Sequence, residues 1–149
     1  MSYIDNYKKY IEDDETDIRL KFLIAYLCVE DSLNLIDTKE SINKAGDILN
    51  SMKNKGYKTP IKEPINWINY LRLIKNTISH KYLTKTEFLK LLKNFQYFDI
   101  PTHQFQNFKF DEKYDFSIES DINLFLLNIL CFIKSLIEFN NKEKLIIKK

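Results

Sequence analysis

Apolar side chains recur every three or four residues through most of the chain, which is the pattern of helices that bury one face. The clearest run covers residues 15–36, where two apolar sides are visible. The first side consists of Ile18, Phe22, Ala25, Tyr26, Val29, Leu33 and Ile36, and the second of Leu20, Leu23 and Leu27. A helix that is apolar on two sides is predicted to be central or to lie at an interface.

The same periodicity predicts four further main helices, over residues 38–55, 64–79, 84–98 and 117–139. Gly56 is a typical stop after the first of these, and Pro64 suits the first turn of the second. Thr84 followed by Glu87 is a capping-box pattern that opens the third. A short amphipathic segment, residues 3–11, precedes all of them. We therefore expect a bundle of about five main helices.

The composition also favours an all-α fold. The chain has 149 residues, enough for one domain with its own core, and contains only two Gly and three Pro. An all-β sandwich needs a turn roughly every 8–12 residues, which demands more turn-forming residues. The prediction is a single all-α helical domain over residues 1–149. Residues 99–116 interrupt the periodicity and carry five aromatic side chains, so we expect an ordered loop packed on the body.

Charge and apolar runs limit the classes of partner. The net charge of +2 lacks the broad basic footprint of a nucleic-acid packager, so any RNA site must be local. The start, MSYIDNYKKY, has no signal-like apolar run, and we expect a cytoplasmic protein. The most apolar stretch, residues 122–137, is shorter than the ~20 residues of a bilayer span, which predicts a core helix and no membrane partner. Cys28 and Cys131 lie in apolar patterns and are predicted to be packed thiols.

One segment, residues 71–82, has a polar pattern with chemical content. At about 100° per residue, Asn69, Arg72, Asn76 and His80 form a stripe opposite the core stripe that starts at Trp67. They are expected to face solvent or a partner. On spacing alone, this stripe is most simply a solvated helix end, with the imidazole favourably placed at the negative end of the helix dipole.

The run Lys75-Asn76-Thr77-Ile78-Ser79-His80-Lys81-Tyr82 resembles the signature of HEPN domains. These are small all-helical proteins whose motif is an Arg, often followed by Asn, with four to six residues from the Arg to a His. Tyr82 is similar to a Tyr two positions after that His in one toxin branch, which is paired with a minimal nucleotidyltransferase antitoxin. The resemblance covers about residues 17–98, and the loop 99–116 and the helix 117–139 have no counterpart in it.

The resemblance implies a metal-independent endoribonuclease of a toxin–antitoxin or phage-defence system. His80 would act as general base or acid on the ribose 2′-hydroxyl or the leaving oxygen. Asn76 would position a phosphate or the imidazole, and Tyr82 would hydrogen-bond or stack a base, or be a modification site. A site with two His requires a homodimer, since one chain supplies one. No cofactor is implied, and the sequence has no cluster with metal-ligand spacing.

The family's Arg is replaced by Lys75, so the cation of this site has two candidates. A guanidinium grips phosphate with a fork, whereas an ammonium is a point charge. Arg72 lies about 80° from His80 around the helix and Lys75 about 140°. The alternative function is a catalytically silent immunity or antitoxin protein, or another module that binds a cognate protein. The acids Glu30 and Asp31 are predicted to be a solvated surface pair.

Overall fold

The computed structural model describes residues 3–36, 45–96, 100–101, 107–108 and 114–147. It contains the helices and strands α1 (Tyr3–Glu12), α2 (Ile18–Ile36), α3 (Ala45–Asn54), α4 (Pro64–His80), α5 (Lys85–Gln96), β1 (Ile100–Pro101), β2 (Asn107–Phe108) and α6 (Glu119–Ile147). The two short strands pair antiparallel, with Ile100 opposite Phe108. The prediction of an all-α helical bundle is confirmed.

The central helix is α2, which contacts α1, α4, α5 and α6. Its first apolar side is buried as predicted up to Leu33, Ile36 is half-buried, and Leu20 and Leu27 of the second side are exposed. Near its start, the Lys21 ammonium donates to the Asn123 side chain of α6 over 3.1 Å. Near its end, Ser32 shares a 2.7 Å hydrogen bond with Tyr3 of α1. Asp5 of α1 in turn accepts a hydrogen bond from Lys134, in the C-terminal half of α6. The start of α2 therefore lies at the start of α6 and its end lies towards the second half of α6, so the two helices run in the same direction.

The last helix is longer than predicted. The apolar pattern predicted its end at residue 139, but α6 continues to Ile147. The ring of Phe139 packs 5.3 Å from that of Tyr57, and Asn140 is buried, so contacts with the body continue past the predicted end. By length and composition α6 could also cross a membrane. In this fold its buried face packs against α1, α2, α3 and α4.

Local signals set several helix ends. The Gly56 and Tyr57 amides donate to carbonyls in the last turn of α3, and Gly56 adopts a φ of 104°, which favours glycine. The Thr84 hydroxyl accepts from the Glu87 amide and caps α5. The start of α2 was predicted at residue 15 and lies at Ile18, because Asp13 accepts the amide of Glu15 in a turn before the helix.

Aromatic rings fill the core between α2, α4 and α6. Phe125 of α6 stacks 5.2 Å from Trp67 of α4 and lies 6.5 Å from Phe22 of α2. Tyr114 and Phe116, from the predicted aromatic loop, pack on Trp67 and Phe125 respectively. The end of that loop is therefore packed on the body as expected. Residues 37–44, 97–99, 102–106 and 109–113 lie outside the described residues. The start of the predicted helix 38–55, the end of the predicted helix 84–98 and most of the predicted loop 99–116 fall there.

Candidate functional site

The second half of the polar stripe of α4 faces outward, as its spacing predicts. His80 is the last residue of the helix and is exposed, and Asn76 one turn earlier is exposed too. Arg72 is half-buried, and its guanidinium donates to the Asn69 side chain over 3.1 Å. The core residues of the same helix, from Trp67 to Ile74, are buried on the opposite side.

The two candidate cations lie near one aromatic side chain of α2. The Lys75 ammonium lies 4.7 Å from the centroid of the Tyr26 ring, in cation–π geometry. Burial raises the pKa of Tyr26, the neighbouring Glu30 carboxylate raises it further, and the Arg72 guanidinium acts in the opposite direction. Arg72 and Lys75 therefore share a polar cluster with Tyr26 and Glu30 on the border between α2 and α4.

The acids predicted to be a solvated pair have partners within the fold. Glu30 is half-buried and hydrogen-bonded to Tyr26, and Asp31 accepts a 3.1 Å hydrogen bond from the Tyr7 hydroxyl. Asp31 is exposed as predicted, and Glu30 is half-buried, so the two acids lie at the surface but each also has a partner on a neighbouring side chain. Glu30 interacts with Tyr26, the ring that Lys75 contacts, whereas Asp31 interacts with Tyr7 of α1.

An arginine that the sequence reasoning did not single out organises the turn after α4. The Arg19 guanidinium makes a two-point ion pair with Asp17, with distances of 2.8 and 2.7 Å. Its third nitrogen donates to the Leu83 carbonyl over 2.7 Å. The pair with Arg19 lowers the pKa of Asp17 to about 2 and raises the pKa of Arg19, to which a hydrogen bond with Tyr82 also contributes. The available signal was its rarity, since only two arginines stand among 23 basic residues.

A small pocket opens at this turn. It has a volume of about 140 Å³ and is lined by Arg19, Ile78, Lys81, Tyr82, Leu83 and Phe88. The buried residues Leu83 and Phe88 form an apolar floor. The Tyr82 side chain is 85% exposed, so its ring stands at the rim. The predicted residue Tyr82 thus belongs to the pocket, directly after the exposed His80.

The predicted residues form two groups along α4. Arg72 and Lys75 lie at Tyr26, while His80 and Tyr82 lie at the helix end; the helical rise separates Arg72 from His80 by about 12 Å. Asn76 is exposed between the two groups. Among the residues that the structure describes, no group of three or more His, Cys, Asp or Glu side chains could hold a metal ion.

Comparison of the chain with protein-family models, curated proteins and solved structures finds no match. The fold alone defines its class, an all-α helical bundle. Within this bundle, the central helix has exposed leucines and a neighbouring helix ends in an exposed histidine.

Proposed function

We propose that the protein is a metal-independent endoribonuclease of the HEPN type, acting in a toxin–antitoxin or phage-defence system. The observation that carries this proposal is the accessible stripe of α4, on which Asn76 and His80 are exposed with Arg72 one turn before them. RNA supplies the matching chemistry, a phosphodiester beside a nucleophilic 2′-hydroxyl. An imidazole can both accept and donate a proton near neutral pH, which suits it to both proton transfers of such a cleavage.

In the proposed reaction, His80 removes the proton of the ribose 2′-hydroxyl, whose oxygen attacks the adjacent phosphorus. The bond from phosphorus to the 5′-oxygen breaks, and that oxygen takes a proton from a second imidazole. Arg72 or Lys75 stabilises the charge that develops on the phosphate oxygens, and Asn76 orients the phosphate. A second His80 is available when two copies of the chain associate about a twofold axis.

We further propose that this association uses the second apolar side of α2. Leu20 and Leu27 are exposed there, and Leu23 and Ile24 beside them are half-buried. Contiguous exposed apolar surface on a small domain marks an interaction site. The polar cluster at Tyr26 borders this surface, so pairing of two α2 helices would bring the two α4 stripes towards each other. We place the protein in the cytoplasm, without a membrane partner, where it meets RNA.

The test is cleavage of labelled single-stranded RNA in EDTA by the wild type and by His80→Ala. Cleavage is expected for the wild type and is expected to be lost in the variant. Because His80 is exposed, its truncation should change the free energy of unfolding by no more than about 0.5 kcal/mol. His103→Ala, which removes the chain's only other imidazole, is the matched control and should retain activity. Full activity of His80→Ala would refute the proposal.

A catalytically silent protein-binding module is the second candidate. One observation favours it: both cations already have partners within the chain, Lys75 at Tyr26 and Arg72 at Asn69. Such an immunity or antitoxin protein would bind a cognate toxin and leave RNA intact. Expression in bacteria separates the two candidates, because a ribonuclease should arrest growth and His80→Ala should relieve the arrest. Growth unaffected by the wild type, combined with no RNA cleavage, would favour the silent module.

A further inference from the structure

The pocket after α4 combines an apolar floor with a cationic and aromatic rim. Leu83 and Phe88 are buried at its base, and Arg19, Lys81 and Tyr82 line it from the surface. Its volume of about 140 Å³ is similar to that of a cavity of about 150 Å³ that accommodates benzene. The pocket therefore has the size of one six-membered ring.

The rim is held in place before any ligand arrives. Asp17 fixes two nitrogens of the Arg19 guanidinium, and the bond to the Leu83 carbonyl ties the turn after α4 to the start of α2. A planar guanidinium held in this way offers a face on which a flat ring can stack. The Tyr82 ring, almost fully exposed, offers a second such surface.

The charges of the rim distinguish among flat ligands. Asp17 balances Arg19, and the nearby Lys85 is paired with Glu119 over 2.7 Å. Lys81 is exposed and adds a positive charge directly after His80. A ligand that suits this pocket has a flat ring, which fits the floor, and one negative group beside the ring, which pairs with the Lys81 ammonium. A nucleotide has both.

We infer that the pocket binds one pyrimidine base of single-stranded RNA, with Tyr82 and Arg19 stacking on the base and Lys81 contacting its phosphate. The inference rests on the proposed function for its choice of RNA as ligand, and it gives that function a base preference. The bound nucleotide would lie beside His80, so base binding in the pocket would determine which part of the strand lies next to the imidazole.

The experiment measures binding of fluorescein-labelled single-stranded oligouridylate, about eight nucleotides long, to full-length protein in EDTA. The His80→Ala background prevents cleavage from disturbing the measurement. Tyr82→Ala is expected to weaken binding about tenfold, because base stacking on an aromatic side chain contributes on this scale. Tyr82→Phe keeps the ring and should retain affinity. Tyr10→Ala, which removes an exposed tyrosine of α1, is the matched control and should bind as the parent does.

Salt dependence tests the phosphate contact separately. Lys81→Ala is expected to reduce the slope of log affinity against log salt by about 0.7, the value for one lost contact to a single strand. The exposed Lys53 of α3 serves as the control, and Lys53→Ala should leave the slope unchanged. Oligouridylate should also bind several times more tightly than oligoadenylate, since a purine is larger than the pocket floor.

The outcomes separate this inference from the ribonuclease proposal. Tyr82-dependent binding of oligouridylate supports the pocket even if the wild type cleaves no RNA. Equal affinity of Tyr82→Ala and Tyr10→Ala, a preference for oligoadenylate, or no binding of oligouridylate by the parent would overturn the pocket. In each of these cases, loss of cleavage in His80→Ala would still support the ribonuclease proposal.

Discussion

At the scale of single residues, the two cations on α4 are held differently. The Lys75 ammonium lies over the Tyr26 ring, whereas the Arg72 guanidinium donates to Asn69 and shares a helix face with Asn76 and His80. We therefore expect Arg72 to contact the scissile phosphate. Arg72→Ala should slow RNA cleavage about a hundredfold, as for loss of one transition-state contact, and Lys75→Ala only a few-fold. Single-turnover rates measure both, with the exposed Lys90→Ala as control. A larger loss in Lys75→Ala would reverse the assignment.

The charge of Asp17 makes the free energy of unfolding depend on pH. It accepts the Arg19 amide at the start of α2 and pairs with the guanidinium. Its pKa is about 2 in the folded protein against an ordinary value of 3.8. A carboxyl with a lowered folded pKa stabilises the protein fully above its unfolded pKa, and this contribution is lost as pH falls through the folded pKa.

Asp17→Ala is accordingly expected to lower the free energy of unfolding by about 1 kcal/mol at neutral pH. Most of this loss is the helix cap, because an exposed ion pair contributes little. The difference in unfolding free energy between Asp17→Ala and the wild type should shrink as the pH is lowered from about 5 to about 2. Urea unfolding at several pH values measures it, with Asp14→Ala in the same turn as control. A difference that grows on acidification would contradict this account.

At the scale of secondary-structure elements, a buried amine joins α2 and α6. Lys21 is only 2% exposed and donates to Asn123. Asn123→Ala should cost about 2 kcal/mol of unfolding free energy, because it removes a hydrogen-bond partner from a buried charge. Lys21→Met keeps the packing of the stem and should cost less. In the Lys21→Met background Asn123→Ala should be nearly neutral. Urea unfolding of the wild type, the two single variants and the double variant measures the interaction energy between Lys21 and Asn123. An equal effect of Asn123→Ala in the wild-type and Lys21→Met backgrounds would contradict this interaction.

Features that depend on neighbouring residues could be predicted from the sequence. The stop at Gly56, the cap at Thr84 and the core stripe starting at Trp67 follow from local conformation and periodicity, and all three are confirmed. Features that depend on distant partners could not. The bond from Arg19 to the Leu83 carbonyl spans 64 residues, and that from Lys21 to its partner in α6 spans 102.

The same distinction applies to the candidate site. Exposure of Asn76 and His80 follows from their angles on one helix, which the sequence gives directly. The contact of Lys75 with Tyr26 requires the packing of α4 on α2, and the pocket at Tyr82 requires a turn held by Arg19. No spacing rule within one helix could have brought these residues together.

At the scale of the whole molecule, the exposed leucines of α2 predict a homodimer. Sedimentation at tens of micromolar should give a dimer for the wild type and a monomer for Leu27→Glu, because a charge within the apolar surface opposes its burial. Leu145→Glu changes another exposed leucine, near the end of α6, and should remain dimeric. A wild type that sediments as a monomer would contradict the prediction.

The central claim is that His80 promotes attack of a ribose 2′-hydroxyl on its own phosphate. Mass spectrometry of the fragments formed in EDTA tests it most directly, because this attack leaves a cyclic phosphate on one product and a 5′-hydroxyl on the other. The account predicts these ends for the wild type and for His103→Ala, and no such fragments for His80→Ala. Intact RNA with the wild type, fragments with a 3′-hydroxyl and a 5′-phosphate, or the same fragments from His80→Ala would contradict it.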